Sequence, residues 1–387
     1  MKIRSYVHYV LMAVLFALAA CSNVMDHKTD TVNIGAIYNL TGALGSLGVP
    51  SSEGAALAVD ALNERGGILG RDVNLVLVDG ETNLDVIPKR MQHLIETTEN
   101  MPVIIGVTGT DSALAAARVA AANKRVFITS GATSTLLPAD VPTYLFLACY
   151  GDNVQAAVAA DWAISDLNAR TVAVLYKTDM TYTKLIRKYF EEVFKEKGGK
   201  VIFSQGYTAD SLKDVIAQLP AADLVYFAAA PDEVVKGITA MRATGYAGPI
   251  ASGDGFDIDE DWKKLPTEDN SFFTTHADVS AANTSAEMIA FRKAFAAKYP
   301  DQEPSAFSAL AYDAVMLMAE ATEKAGSLGA DAIQKALSTL QDYKGLTGTI
   351  SYQNGSRIPV KSVALFRVKN GEEAFVQEIL PDSVPAP

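Results

Sequence analysis

Residues 104–134 read IIGVTGTDSALAAARVAAANKRVFITSGATS. Two short apolar runs, Val103 to Gly106 and Val126 to Ser130, predict buried strands, and the Ala-rich stretch from Ser112 between them predicts a helix. Strand, helix and strand make one crossover unit, so the two strands are expected to lie parallel and side by side. Each run ends in small polar residues: Thr108 to Ser112 after the first, Ser130 to Ser134 after the second. Ligands of open α/β sheets sit at such carboxyl ends, and a helix N-terminus suits an anionic group. The same residues also read as ordinary Ser/Thr/Gly helix caps.

Outward from this unit the alternation continues in both directions. Thr31 to Tyr38 predicts the first strand. A Gly-rich loop, Leu40 to Pro50, then leads to a helix capped by Ser51 or Ser52 and ending at Gly66-Gly67. Beyond Thr143 a second series of the same kind begins, with strands at Thr171 to Lys177, Lys200 to Gln205, Leu224 to Ala229 and Ile250 to Gly253. Two such runs predict an α/β protein of two doubly wound lobes. Helices after the second run, followed by late strands, suggest that the chain returns to each lobe once.

The chain of 387 residues is long enough for two domains, and 49% hydrophobic with 20% charged residues is a globular composition. A formal charge of −12 argues against nucleic acid as a partner. At the N-terminus, Lys2 and Arg4 precede an apolar run from Val10 to Ala20, too short to span a bilayer. Residues 1–20 therefore read as a signal peptide. Leu18-Ala19-Ala20-Cys21 resembles a bacterial lipobox, which implies cleavage before Cys21, lipid on its sulfur and a polar tether over 21–30. Cys149 is then the only thiol left, and it reads as a small buried hydrophobe.

Catalytic chemistry finds little support. His93 and His276 lie in no triad spacing, and no P-loop, HExxH or CxxC is present. Gly42-x-x-Gly45-x-x-Gly48 lacks the dinucleotide spacing and reads as a permissive loop. No metal site, cofactor or enzymatic activity is expected. A binding site reads better. Asp254 stands between Gly253 and Gly255 after a strand, where a carboxylate can hold an ammonium or simply face solvent in a turn. Tyr182 and Phe307, at helix starts, can wall an apolar group or merely pack.

Several pieces in order resemble one family. They are Ile37-Tyr38-Asn39-Leu40-Thr41-Gly42, Gly54 to Asn63, Gly66-Gly67-Ile68-Leu69-Gly70-Arg71, Ser130-Gly131-Ala132-Thr133-Ser134, Gly253-Asp254-Gly255 and Ala306 to Ala314. The mature chain resembles the leucine/isoleucine/valine-binding family of ABC-importer substrate-binding proteins, with the type I periplasmic binding fold and a three-segment hinge. The resemblance implies that Thr110, Gly131, Ala132 and Thr133 bind the carboxylate and amine of an amino acid, Asp254 the ammonium. Tyr182, Phe307 and Leu47 would line its side chain. Leu47 stands where many members carry an aromatic, and Ala230 where some carry Tyr, so the side-chain end differs from the pattern. The implied crossings fall near Ala148–Asp152, Thr275–Ala277 and Lys344–Gly348. They give a first lobe of 31–148 plus 277–345 and a second of 152–274 plus 349–380.

The expected role is an extracytoplasmic lipoprotein, periplasmic or at the cell surface. It would capture an amino acid, of branched-chain or other apolar type, as a monomer and deliver it to an ABC permease and its ATPase. Competing readings are a receptor of the same fold for a small carboxylate or amide, and a sensory ligand-binding module.

Overall fold

The computed structural model describes residues 31–268, 270–381 and 383–387; the expected signal peptide, Cys21 and tether lie outside them. The first half of the chain runs β1 (Val32–Tyr38), α1 (Gly45–Glu64), β2 (Val73–Asp79), α2 (Ile87–Thr97), β3 (Val103–Gly106), α3 (Thr110–Ala122), β4 (Val126–Thr129), α4 (Leu137–Asp140) and β5 (Leu145–Leu147). These strands form one parallel sheet in the order β2-β1-β3-β4-β5. All residues of β3 and β4 are buried, as continuous apolar runs in a sheet covered on both faces must be.

The second series is α5 (Asp152–Ser165), β6 (Thr171–Lys177), α6 (Thr181–Glu196), β7 (Lys200–Tyr207), α7 (Leu212–Ile216), β8 (Leu224–Ala228), α8 (Pro231–Ala243), β9 (Ile250–Ser252) and β10 (Ser271–Thr275). Three helices follow, α9 (Ala286–Lys298), α10 (Ala306–Ala325) and α11 (Ala330–Ser338), then β11 (Tyr343–Gly345), β12 (Gly348–Ile350), β13 (Val363–Lys369) and β14 (Glu372–Ile379). The second sheet has the order β14-β13-β10-β9-β8-β6-β7, with β13 and β14 antiparallel at its edge. The molecule therefore has two lobes, each an α/β sandwich around its own sheet.

The late helices return to the first lobe. Residues of α10 and α11 share a core with β1, β3 and β4. α10 crosses α1 closely at Gly54, where a Cβ would lie 1.9 Å from the Ser308 carbonyl oxygen, so only glycine fits. Ser305 caps α10 through a reciprocal pair with Ser308.

Two sequence expectations need correction. The helix expected from Ser51 begins at Gly45, inside the Gly-rich stretch expected to be loop. Leu44 and Leu47 bury their side chains with Phe307, and that packing favours the helical turn. Pro50, early in α1, removes only the bond to Ser46. The third crossing, expected at Lys344–Gly348, comes later. Ile350 and Tyr352 still pack in the first lobe, as does Ile358, and the chain enters the second sheet only at Val363. At the first crossing, Cys149 belongs to the first lobe's core and Tyr150 packs with Val363 of the second.

Candidate functional site

The carboxyl ends of β3 and β4 open toward the second lobe. After β3 the backbone turns at Gly109, whose φ of 99° suits glycine, and α3 starts at once with Thr110. No side chain caps α3. The Thr108 and Thr110 hydroxyls are buried without a partner, although buried polar atoms are normally paired. After β4, Gly131 lets the chain pass beside Thr108 and Phe307, and the Ala132 N–H donates to Thr129 Oγ1 at 3.0 Å. Thr133 follows, with its hydroxyl 2.7 Å from Asp152 Oδ1.

The facing wall comes from the second lobe. Asp254 sits in a 3₁₀ turn just after β9 and is only 4% exposed. Its Oδ1 accepts from Gln155 Nε2 at 2.9 Å, its Oδ2 lies 3.1 Å from His276 Nε2, and its N–H donates to Gln155 Oε1 at 3.1 Å. Tyr182, the second residue of α6, accepts the Gly255 N–H on its hydroxyl at 3.1 Å. Burial, with the Asp254 charge adding to it, pushes the Tyr182 phenol well above its ordinary value.

Between these walls lies a cavity with about 370 Å³ of atom-free space, part of it continuous with solvent, in the size range of small-molecule sites. Thr110, Gly131, Ala132, Thr133, Tyr182, Asp254 and Leu47 all line it. Phe307 stands behind rather than on the surface: it packs on Leu44 and Leu47 and against the Gly131 backbone. Ala230 is buried outside the lining, whereas Ala229 and Pro231 belong to it. Leu44, Leu47 and Met180 make one end apolar.

Sequence reasoning missed Asp152 and Gln155 and set His276 aside. All three are buried. Asp152 carries an Oδ2 with no partner, and burial, with the Asp254 charge adding to it, pushes its carboxyl up to about 8 against the bonds from Thr133 and Gln155. Gln155 bonds Asp152, Asp254 and Thr274 together. The only signal in the sequence was a Asp-x-x-Gln at the start of α5, which reads as a routine helix N-terminus. Elsewhere Asp257, Asp259 and Glu373 bring one oxygen each within 4.8 Å of one another, an acidic cluster that does not line the cavity.

A two-lobed α/β fold with polar groups converging on the gap can be compared with known proteins. The family profile described as periplasmic binding protein matches residues 31–373. The chain belongs to the periplasmic binding protein family. Its members bind solutes and are not enzymes. This member is 28% identical over 351 residues to the Leu/Ile/Val-binding protein BraC3 of Rhizobium johnstonii, covering 88% of this chain and 92% of the relative. The crystal structure of the branched-chain amino acid transporter substrate-binding protein LivJ of Streptococcus pneumoniae, in complex with isoleucine, superposes with a TM-score of 0.82. It is 27% identical and covers 91% of this chain and 100% of its own. The leucine-binding protein LivK of Thermotoga maritima gives a TM-score of 0.80 at 28% identity, with 91% and 99% covered. Among the described residues no helix is long and apolar enough to cross a membrane.

Proposed function

We propose that this periplasmic binding protein captures a free amino acid with an apolar, branched side chain between its lobes and presents it to an ABC permease and its ATPase. One observation supports this reading above the others. The cavity is lined from the first lobe by the unpartnered Thr110 hydroxyl at the uncapped start of α3, and from the second lobe by the Asp254 carboxylate. A carboxylate fits the first, an ammonium the second. The Thr133 hydroxyl donates to Asp152 and accepts a long 3.5 Å bond from Gln155, and the acceptor capacity it has left suits a donor such as the ammonium. Leu44, Leu47 and Met180 then meet the side chain. The names of BraC3, LivJ and LivK agree with this choice.

A micromolar ligand needs about −8 kcal/mol. Two or three charge-assisted bonds and one buried apolar side chain supply that after the cost of immobilisation. Neither lobe holds enough partners alone, so the ligand stabilises the closed arrangement. In this reading the mature protein begins at Cys21, lipid holds it to the outer side of a membrane, and it acts as a monomer.

A thermal-shift and calorimetry panel of amino acids, amine-free carboxylates and amides tests the ligand class. Leucine, isoleucine and valine are expected to raise the melting temperature, and 4-methylpentanoate, which is leucine without its amine, to leave it unmoved. Equal stabilisation by the amine-free acid, or none by any amino acid, defeats the reading.

A further inference from the structure

His276 follows β10, where the chain leaves the second lobe, and its side chain is fully buried. Its ring stacks on Tyr150 of the first crossing at 4.4 Å and meets Phe307 edge-on at 5.3 Å. Nε2 lies 3.1 Å from Asp254 Oδ2, and Nδ1 has no partner. With Asp254 as a carboxylate, the form that costs least carries a single proton on Nε2. With the proton on Nε2, the ring donates to Asp254 and leaves Nδ1 a bare acceptor. A doubly protonated ring would add a buried charge and a buried N–H with nothing to receive it.

We propose that His276 is a positioning residue of the amine end: as a neutral imidazole it donates to Asp254 and keeps that carboxylate turned to the cleft, and its protonation weakens ligand binding by neutralising Asp254. This rests on the reading of Asp254 as the ammonium's partner. An imidazolium and a ligand ammonium on one carboxylate would also repel each other.

The surroundings favour the neutral ring. The charged and titratable groups facing it are Asp254 from the turn after β9, Tyr150 from the first crossing and Lys361 from the segment before β13; α10 contributes the uncharged Phe307. Asp152 and Asp257 are the next carboxylates felt by Asp254. Burial lowers the His276 value from its ordinary one, Lys361 acts in the same direction, and Asp254 opposes them. The Tyr150 phenol is pushed well above its usual value, chiefly by burial, and stays uncharged. The ring is therefore neutral at pH 7, and the ligand should be lost only as acid overcomes that burial and charges it.

Isoleucine calorimetry from pH 7 to pH 5 on wild type, His276→Gln and His276→Ala tests this. Gln places an Nε2 donor where the imidazole has one but cannot take a proton. Wild type is expected to weaken at least fivefold over that range. His276→Gln should bind within about threefold of wild type at pH 7 and lose much less in acid. His276→Ala should bind at least fivefold more weakly at pH 7. Should His276→Ala fail to fold, the acid profile of His276→Gln decides. An identical acid loss in His276→Gln, or unaltered affinity in a folded His276→Ala, overturns the proposal while wild type still binds isoleucine. Absence of binding by wild type overturns the functional reading, and this inference with it.

Discussion

Asp254 shows how one side chain gathers its meaning from several distant segments. Its position between two glycines was legible in the sequence. Its aim was not: Gln155, 99 positions earlier, and His276, 22 positions later, hold its two oxygens. Asp254→Asn removes the charge but not the shape. It should lower amino-acid affinity at least tenfold by calorimetry, since a charge-assisted bond is worth about 1.5–3 kcal/mol, while the empty protein melts no lower. Asp152 makes the opposite contribution to stability. Its carboxyl titrates near 8 in the fold against an ordinary value of 3.8. Between those values the native state keeps a proton that the unfolded chain has lost, so this residue's contribution to stability falls as pH rises, and is fully lost above pH 8. Asp152→Asn should therefore stabilise the empty protein by about 1–3 kcal/mol at pH 8.5, and by less at pH 5, in chemical denaturation. Equal effects at the two pH values would contradict the assignment.

Among the elements, α3 and α6 face each other from opposite lobes. Asp111, in the first turn of α3, accepts from the Thr181 N–H at 3.1 Å and from the Thr181 hydroxyl, so it caps the start of α6 across the gap. Thr135 and Tyr189 add a second hydroxyl pair at 2.9 Å. A carboxylate at a helix N-terminus is worth about 1 kcal/mol, and this one acts only while the lobes are together. Asp111→Asn should weaken ligand binding about three- to tenfold, chiefly through faster dissociation in stopped-flow traces. Most elements were legible, because apolar runs and 3.6-residue periodicity mark strands and helices locally. The early start of α1 was not legible, since a Gly-rich stretch becomes helical only when Leu44 and Leu47 find Phe307. Nor was the third crossing: Gly348 to Ile350 reads as a strand, but nothing local tells which core receives Ile350.

Across the whole molecule, the lobes are joined by three segments that meet one another. Lys361, buried before β13, donates to the Ala148 carbonyl at 3.1 Å and to the Thr347 hydroxyl, tying the first crossing to the approach of the third. Tyr150 on the first crossing stacks on His276 of the second. Hinges of this kind allow rigid lobes to open and close around a ligand. Leucine should reduce the radius of gyration measured by small-angle scattering, and the same leucine concentration should leave Asp254→Asn closer to its empty size. A radius unchanged by saturating leucine would exclude closure as the response to binding.

The sequence by itself determined the fold class, the two-lobed plan and a family resemblance. Strand and helix periodicities are local, and the loops at strand ends carry their small polar residues in contiguous runs such as Ser130 to Ser134. Only the tertiary structure decided that Asp152, Gln155 and His276 surround Asp254, and which lobe keeps residues 349–358. Those facts depend on burial and on contacts between segments distant in the chain, and neither leaves a periodic trace in the order of residues.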